Sequence, residues 1–297
     1  MPAAISDLHL VLPSDGLVMR GLRAGTPGGT PLLLLHGWPE WSHAWRGVMQ
    51  RLPEGFDLVA PDLRGFGRTA VAGQQPDKGI GPARHAADML ELADVLGWRH
   101  YGVVSHDVGS FVAQVMARND HARLSRLFFF DCAYPGIAAR WFAPRHLPQI
   151  WYQFFHQLPW AADLVGQSRE SCRLYFLNFL RHWSHQHHWI DGEIEAWVDN
   201  FMRPGALQGG FNWYLSVSEG RLAVVEGRQA PPPPIPQPTR VLWGERDPVL
   251  PATWTDRLPE FFSDLRLDLM PEVGHFPHLE QPERAASEIA NWFTTSG

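Results

Sequence analysis

Ser105-His106-Asp107-Val108-Gly109-Ser110 follows the apolar run Tyr101-Gly102-Val103-Val104 and precedes Phe111-Val112-Ala113-Gln114-Val115-Met116-Ala117. The first run reads as a buried strand and the last as a helix, so the hexapeptide is the tight turn between them. Gly109 and the small Ser105 let strand and helix approach closely around a strained turn. This is the setting of a nucleophile elbow, in which the central side chain stands exposed at the top of a parallel sheet. Most elbows carry Ser. This one carries Asp107, and a carboxylate there changes the reaction class. An Asp after a strand is also a common helix N-cap, so the reading needs support from elsewhere in the chain.

Working outward, the pattern is one of strands alternating with helices. Leu32-Leu33-Leu34-Leu35 and Leu58-Val59-Ala60 are short apolar runs bounded by Gly, Pro and Asp, as buried parallel strands require. Ala87, Met89, Leu90, Leu92, Ala93, Val95 and Leu96 fall at helical spacing. Leu127-Phe128-Phe129-Phe130 follows as a strand, so the order calls for a parallel sheet covered on both faces. From 135 to 215 the chain is rich in Trp, Phe, His and Gln at helical periodicity, without a clear strand. A helix through Tyr214 to Val225 and the stiff connector Pro231-Pro232-Pro233-Pro234-Ile235-Pro236 come next. Strands then resume at Thr239 to Gly244 and Leu265 to Leu269, before a final helix from about Glu283 to Phe293. The predicted architecture is an α/β core of residues 1–134 and 216–297, with an inserted helical cap of residues 135–215.

Three further segments converge on the elbow. In Leu35-His36-Gly37-Trp38-Pro39 the His-Gly turn lets the Trp38 amide point toward Asp107, and with the Val108 amide it would form a two-donor oxyanion hole. Trp243-Gly244-Glu245-Arg246-Asp247-Pro248 ends a late strand, and Val273-Gly274-His275-Phe276 precedes the last helix. The order nucleophile, acid, histidine is that of α/β-hydrolases. In it His275 is the general base and Asp247 the group that orients it. Over nearly its whole length the chain resembles the α/β-hydrolase superfamily, on the branch with a carboxylate nucleophile. That branch holds epoxide hydrolases, haloalkane dehalogenases and haloacetate dehalogenases. The resemblance implies that Pro61-Asp62-Leu63-Arg64-Gly65-Phe66-Gly67-Arg68-Thr69 is the shared loop after a core strand. It also brings a competitor for the orienting acid, since haloacetate dehalogenases keep theirs where this chain has Asp131.

A carboxylate nucleophile makes sense against an alkyl carbon, where attack gives an alkyl ester that activated water then hydrolyses. An opening epoxide needs an acid for its alkoxide; a departing halide needs N–H donors. Tyr152 in Trp151-Tyr152-Gln153 and Tyr214 in Asn212-Trp213-Tyr214 lie in stretches similar to those carrying the two ring-opening tyrosines of epoxide hydrolases. Tyr175 sits in a dense apolar run and reads as cap core. Haloalkane dehalogenases usually place Trp after the nucleophile, where Val108 stands here. Haloacetate dehalogenases clamp the substrate with arginines where this chain has Val108 and Phe111. The expected activity is therefore opening of an apolar epoxide to a vicinal diol by water, without cofactor or metal. A dehalogenase using Asp107 is the alternative. A binding module reusing the fold would be expected to lose the nucleophile, base or oxyanion loop, and all are present.

Composition excludes several other classes. The net charge of −6, from 25 basic and 31 acidic residues, gives no basic footprint for nucleic acid or anionic membranes. The apolar run Leu32 to Leu35 is far too short to span a bilayer. Cys132 and Cys172 have no metal-type spacing and read as reduced thiols, and the N-terminus lacks a signal-peptide pattern, so a cytoplasmic location is expected. His182, His185, His187 and His188 invite a metal reading, yet no Cys or general-base Glu accompanies them, and a solvated cap face is expected instead.

Overall fold

The computed structural model describes residues 4–294. Among these residues nine strands form one sheet: β1 Ser6–Val11, β2 Leu17–Gly25, β3 Thr30–Leu35, β4 Phe56–Pro61, β5 Ala70–Val71, β6 Tyr101–His106, β7 Leu124–Phe130, β8 Thr239–Gly244 and β9 Leu265–Met270. Their order is β1-β2-β4-β3-β6-β7-β8-β9, with β5 paired to β2. From β4 to β9 every pairing is parallel, while β2 runs antiparallel to β1, β4 and β5. The antiparallel start, β1 and β2, carries mixed polar and apolar residues, and its signal is weaker than that of the central leucine run.

Strand alternation divides the core into two layers. Leu33 and Leu35 join Val103, Val112, Met116, Met89 and Leu92 on one face. Leu32 and Leu34 join Val104, Phe128, Phe130, Val48, Met49 and Ile289 on the other. Helices Pro82–Val95 and Val108–Asn119 cover the first face; Arg46–Met49 and Pro282–Thr294 cover the second. Between β7 and β8 the chain leaves the sheet for a run of helices, the longest being Arg169–Trp183, Ile190–Phe201 and Ala206–Val225. Position 215 lies within the last of these. Ser168 caps the first, accepting from the Ser171 amide at 3.0 Å, a contact worth about 1 kcal/mol.

The cap's inner face is aromatic. Phe176 stacks on Phe201 with centroids 4.0 Å apart, and the half-buried Tyr175 bonds to His156 Nε2 at 2.6 Å. Cap and core meet backbone to backbone. A Cβ on Gly209 would come within 1.9 Å of the Gly65 carbonyl oxygen, and one on Gly274 within 2.3 Å of that of Trp183. Both cysteines are free and buried. Among the described residues, no helix is long and apolar enough to cross a membrane.

Candidate active site

The elbow lies at the carboxyl end of β6, a central strand flanked by β3 and β7. Asp107 has φ 43° and ψ −111°, a conformation rare for a side-chain-bearing residue, costing on the order of 1–3 kcal/mol. Close packing holds it there. A Cβ on Gly109 would lie 2.6 Å from the Leu35 carbonyl oxygen, and one on Gly37 would lie 2.8 Å from the Asp107 Cβ. The neighbouring strand end thus presses on the turn, and the Trp38 amide donates to Asp107 Oδ1 at 3.0 Å. Val108 opens the elbow helix, so its amide is one of the first-turn N–H groups without an intrahelical acceptor.

β8 and the loop after β9 supply the next layer. His275 Nδ1 donates to Asp247 Oδ2 at 2.7 Å, and Asp247 Oδ1 accepts the amides of Val249 at 2.7 Å and Leu250 at 2.9 Å. The second imidazole nitrogen, Nε2, faces Asp107 Oδ2 at 4.0 Å and has no hydrogen-bond partner. Burial alone would lower the His275 pKa. The charge of Asp247, its hydrogen bond and the charge of Asp107 outweigh burial, and the imidazole is pushed up to about 9. Both side chains of the His275–Asp247 pair are fully buried, whereas the Asp107 side chain is 15% exposed, making it the reachable member.

Asp131, the competing acid, lies at the end of β7 with φ 41°. Its Oδ1 accepts the Gly244 amide at 2.8 Å and its Oδ2 has no partner, so it makes no hydrogen bond to His275. Burial and the nearby Asp247 charge raise its pKa well above the usual carboxylate range. Of the two acids, only Asp247 is bonded to the imidazole.

The cap brings both predicted tyrosines over this layer. The Tyr152 ring stacks on Trp38 with centroids 5.0 Å apart and planes 11° from parallel; Tyr214 meets Trp38 edge-on at 5.8 Å. The two phenol rings are perpendicular at 5.4 Å. Burial raises both phenols above their ordinary pKa, and the Asp107 charge adds to this in each case. Trp183 bridges the halves, touching Tyr152 at 5.1 Å and His275 edge-on at 5.2 Å. The sequence-predicted residues Asp107, Trp38, Asp247, His275, Tyr152 and Tyr214 therefore surround one site, with Val108 beginning the helix beneath it.

Sequence reasoning missed a buried network behind it. Glu40 Oε2 accepts the Gly37 amide at 2.7 Å and pairs with His106 Nδ1 at 2.8 Å; its Oε1 pairs with His278 Nε2 at 2.9 Å. His106 Nε2 donates to the His275 carbonyl at 2.7 Å. Burial would raise the Glu40 carboxyl, but His106 and His278 hold it well below the usual carboxylate range. The signal was at hand, since Glu40 follows His36-Gly37-Trp38-Pro39 and His106 precedes Asp107. Glu40, His106 and His278 bring potential metal-ligand atoms within 4.8 Å of one another. A cation there would have to displace the hydrogen bonds from Glu40 to both imidazoles. The cap histidines disperse instead of converging: His182 bonds to Gln149, His185 pairs with Glu272, and His187 bonds to the Ser184 carbonyl.

Residues 30–282 match the model of the alpha/beta hydrolase fold family. The chain is 33% identical over 206 residues to a soluble epoxide hydrolase of Corynebacterium sp. (strain C12), covering 68% of this chain and 70% of that one. It is 24% identical to human epoxide hydrolase 4, over 95% of this chain and 79% of the relative. The solved structure of epoxide hydrolase CorEH without ligand superposes with a TM-score of 0.82 at 26% identity, covering 98% of this chain and 99% of that one. The chain belongs to the α/β-hydrolase fold family, and within it is an epoxide hydrolase-like hydrolase.

Proposed function

We propose that the protein opens an apolar epoxide to a vicinal diol through an alkyl ester on Asp107. The observation that carries this reading is the pair of buried phenols packed on the Trp38 ring, the residue whose amide is bonded to the partly exposed carboxylate of the elbow. Asp107 attacks an oxirane carbon from below, and a phenol protonates the oxygen as the C–O bond breaks. Water activated by His275 Nε2 then adds to the ester carbonyl, and the amides of Trp38 and Val108 hold the oxyanion. Asp247 keeps Nδ1 protonated and leaves Nε2 as the basic nitrogen. Forming the ester removes the Asp107 charge, one of those holding the His275 pKa up, so alkylation itself makes His275 more available as a base. The epoxide hydrolases among the relatives support the same substrate class. Neither the Val108 nor the Phe111 side chain offers an N–H or guanidinium donor to a halide or a haloacid.

The test is a His275→Gln variant mixed with styrene oxide. Intact mass should rise by the mass of the whole epoxide, while the unaltered protein releases the diol. Diol formation without any adduct in the variant would exclude the ester. Halide release from haloalkanes, with no diol from epoxides, would move the protein to the dehalogenases.

A further inference from the structure

Arg221 lies two turns past Tyr214 on helix Ala206–Val225, on the same side of the helix. Its guanidinium carbon sits 4.7 Å from the centre of the Trp141 ring. Among the described residues no carboxylate forms an ion pair with it, and its Nε is buried without a partner. One of its terminal nitrogens donates to Gln153 Oε1. The other end of that amide, Nε2, donates to the Tyr152 hydroxyl oxygen at 3.1 Å. A guanidinium offers donors only, so the amide must turn its oxygen to Arg221 and its NH2 to Tyr152. The orientation of Gln153 is thus dictated by the cation behind it.

We propose that Arg221 is a positioning residue which locks the Gln153 amide so that Tyr152, rather than Tyr214, gives its proton to the opening oxirane. This rests on the epoxide-opening reading above. With Nε2–H on its oxygen, the Tyr152 hydroxyl cannot give its proton to Gln153 and directs it elsewhere. A reversed amide would present Oε1, accept that proton and hold it back. In the step itself, the Tyr152 O–H bond breaks as the oxirane C–O bond breaks and the Asp107–carbon bond forms. The phenolate left behind already has the Gln153 donor in place, with the Tyr214 ring perpendicular beside it at 5.4 Å. The Arg221 charge favours that phenolate in the same sense. Collapse of the tetrahedral intermediate later expels the diol oxygen, which takes the proton His275 removed from water; Asp107 is left as the acid, and its proton returns to Tyr152.

The experiment is single-turnover alkylation by styrene oxide in the full chain, for R221M, R221K, Q153L, R221M/Q153L and R221M/Y152F. R221M should alkylate roughly tenfold more slowly, the loss of one charge-assisted hydrogen bond. R221K, which still donates to Oε1, should recover most of that rate. R221M/Q153L should be no slower than Q153L, and R221M should add nothing in the Y152F background, because Arg221 acts through both. The alkaline limb of the alkylation rate should move to higher pH in R221M. Multiplying effects in either double variant, or an unmoved alkaline limb, would overturn the inference. A wild-type chain that forms neither adduct nor diol would instead sink the underlying function.

Discussion

The two halves of the site are held by different forces. On the core side, backbone and charge hold Asp107, Asp247 and His275: a strained turn clamped by Gly37 and Gly109, two amides on Asp247, and a buried ion pair to His275. On the cap side, Tyr152, Trp183, Phe179 and Tyr214 position one another, and pack on Trp38 of the core, by ring contacts at 4.9 to 5.8 Å, with few hydrogen bonds. Ring packing fixes a surface, whereas hydrogen bonds fix single atoms. In the proposed mechanism the carboxylate and its base therefore sit in the half fixed atom by atom, and the phenolic acid in the half fixed by ring packing.

The largest effects should fall on the core side. Asp247→Asn leaves the imidazole in the wrong tautomer and should lower kcat on the order of 10³- to 10⁴-fold, measured as diol formation from styrene oxide. A loss under tenfold would hand the orienting role to another group, with Asp131 nearest. On the cap side, Tyr152→Phe should slow alkylation roughly 100-fold and Tyr214→Phe roughly tenfold, since each leaves the other phenol in place. Equal losses for the two would erase the asymmetry that Gln153 imposes. Gly209→Ala tests the seam between the halves. Its Cβ would push directly against the Gly65 backbone, so the cap helix must shift, costing roughly 1–3 kcal/mol of stability. KM should rise severalfold while the alkylation rate at saturation stays within about threefold. A selective loss in kcat would mean that the seam, and not the cage, aligns the phenols.

Legibility followed the same division. Core positions announce themselves because each rests on a local rule: strand, then an Asp between small residues at 105–109, and an acid and a histidine in loops after strands. Asp247 was preferred to Asp131 on its local motif, and the fold supplies the geometric reason. Both follow strands, and only the fold shows that the Asp247 loop reaches His275 while Asp131 spends an oxygen on Gly244. The Glu40–His106–His278 network escaped because its partners are as much as 238 residues apart and carry no shared spacing. Tyr152 and Tyr214 were found through their neighbours in sequence. Gln153 stood beside Tyr152 in plain view, yet nothing in the order of residues says that Arg221 lies behind it.

The smallest effect separates the halves by pH. A group whose pKa is raised on folding binds its proton more tightly in the native state, so it stabilises the fold below its unfolded value and loses that contribution as pH climbs through the native one. His275, raised from 6.5 to about 9, should therefore cost stability between those limits. The cap phenols are raised from 10 upward, and their contribution should persist to that pH and fall only beyond it. Urea unfolding from pH 6.5 to 9 should thus show a decline in the wild type that is shallower in His275→Gln and unchanged in Tyr152→Phe. A decline that survives in His275→Gln would mean another buried group titrates in that window. A decline lost in Tyr152→Phe would mean the two halves are electrostatically one unit, with the cap setting the charge of the base beneath it.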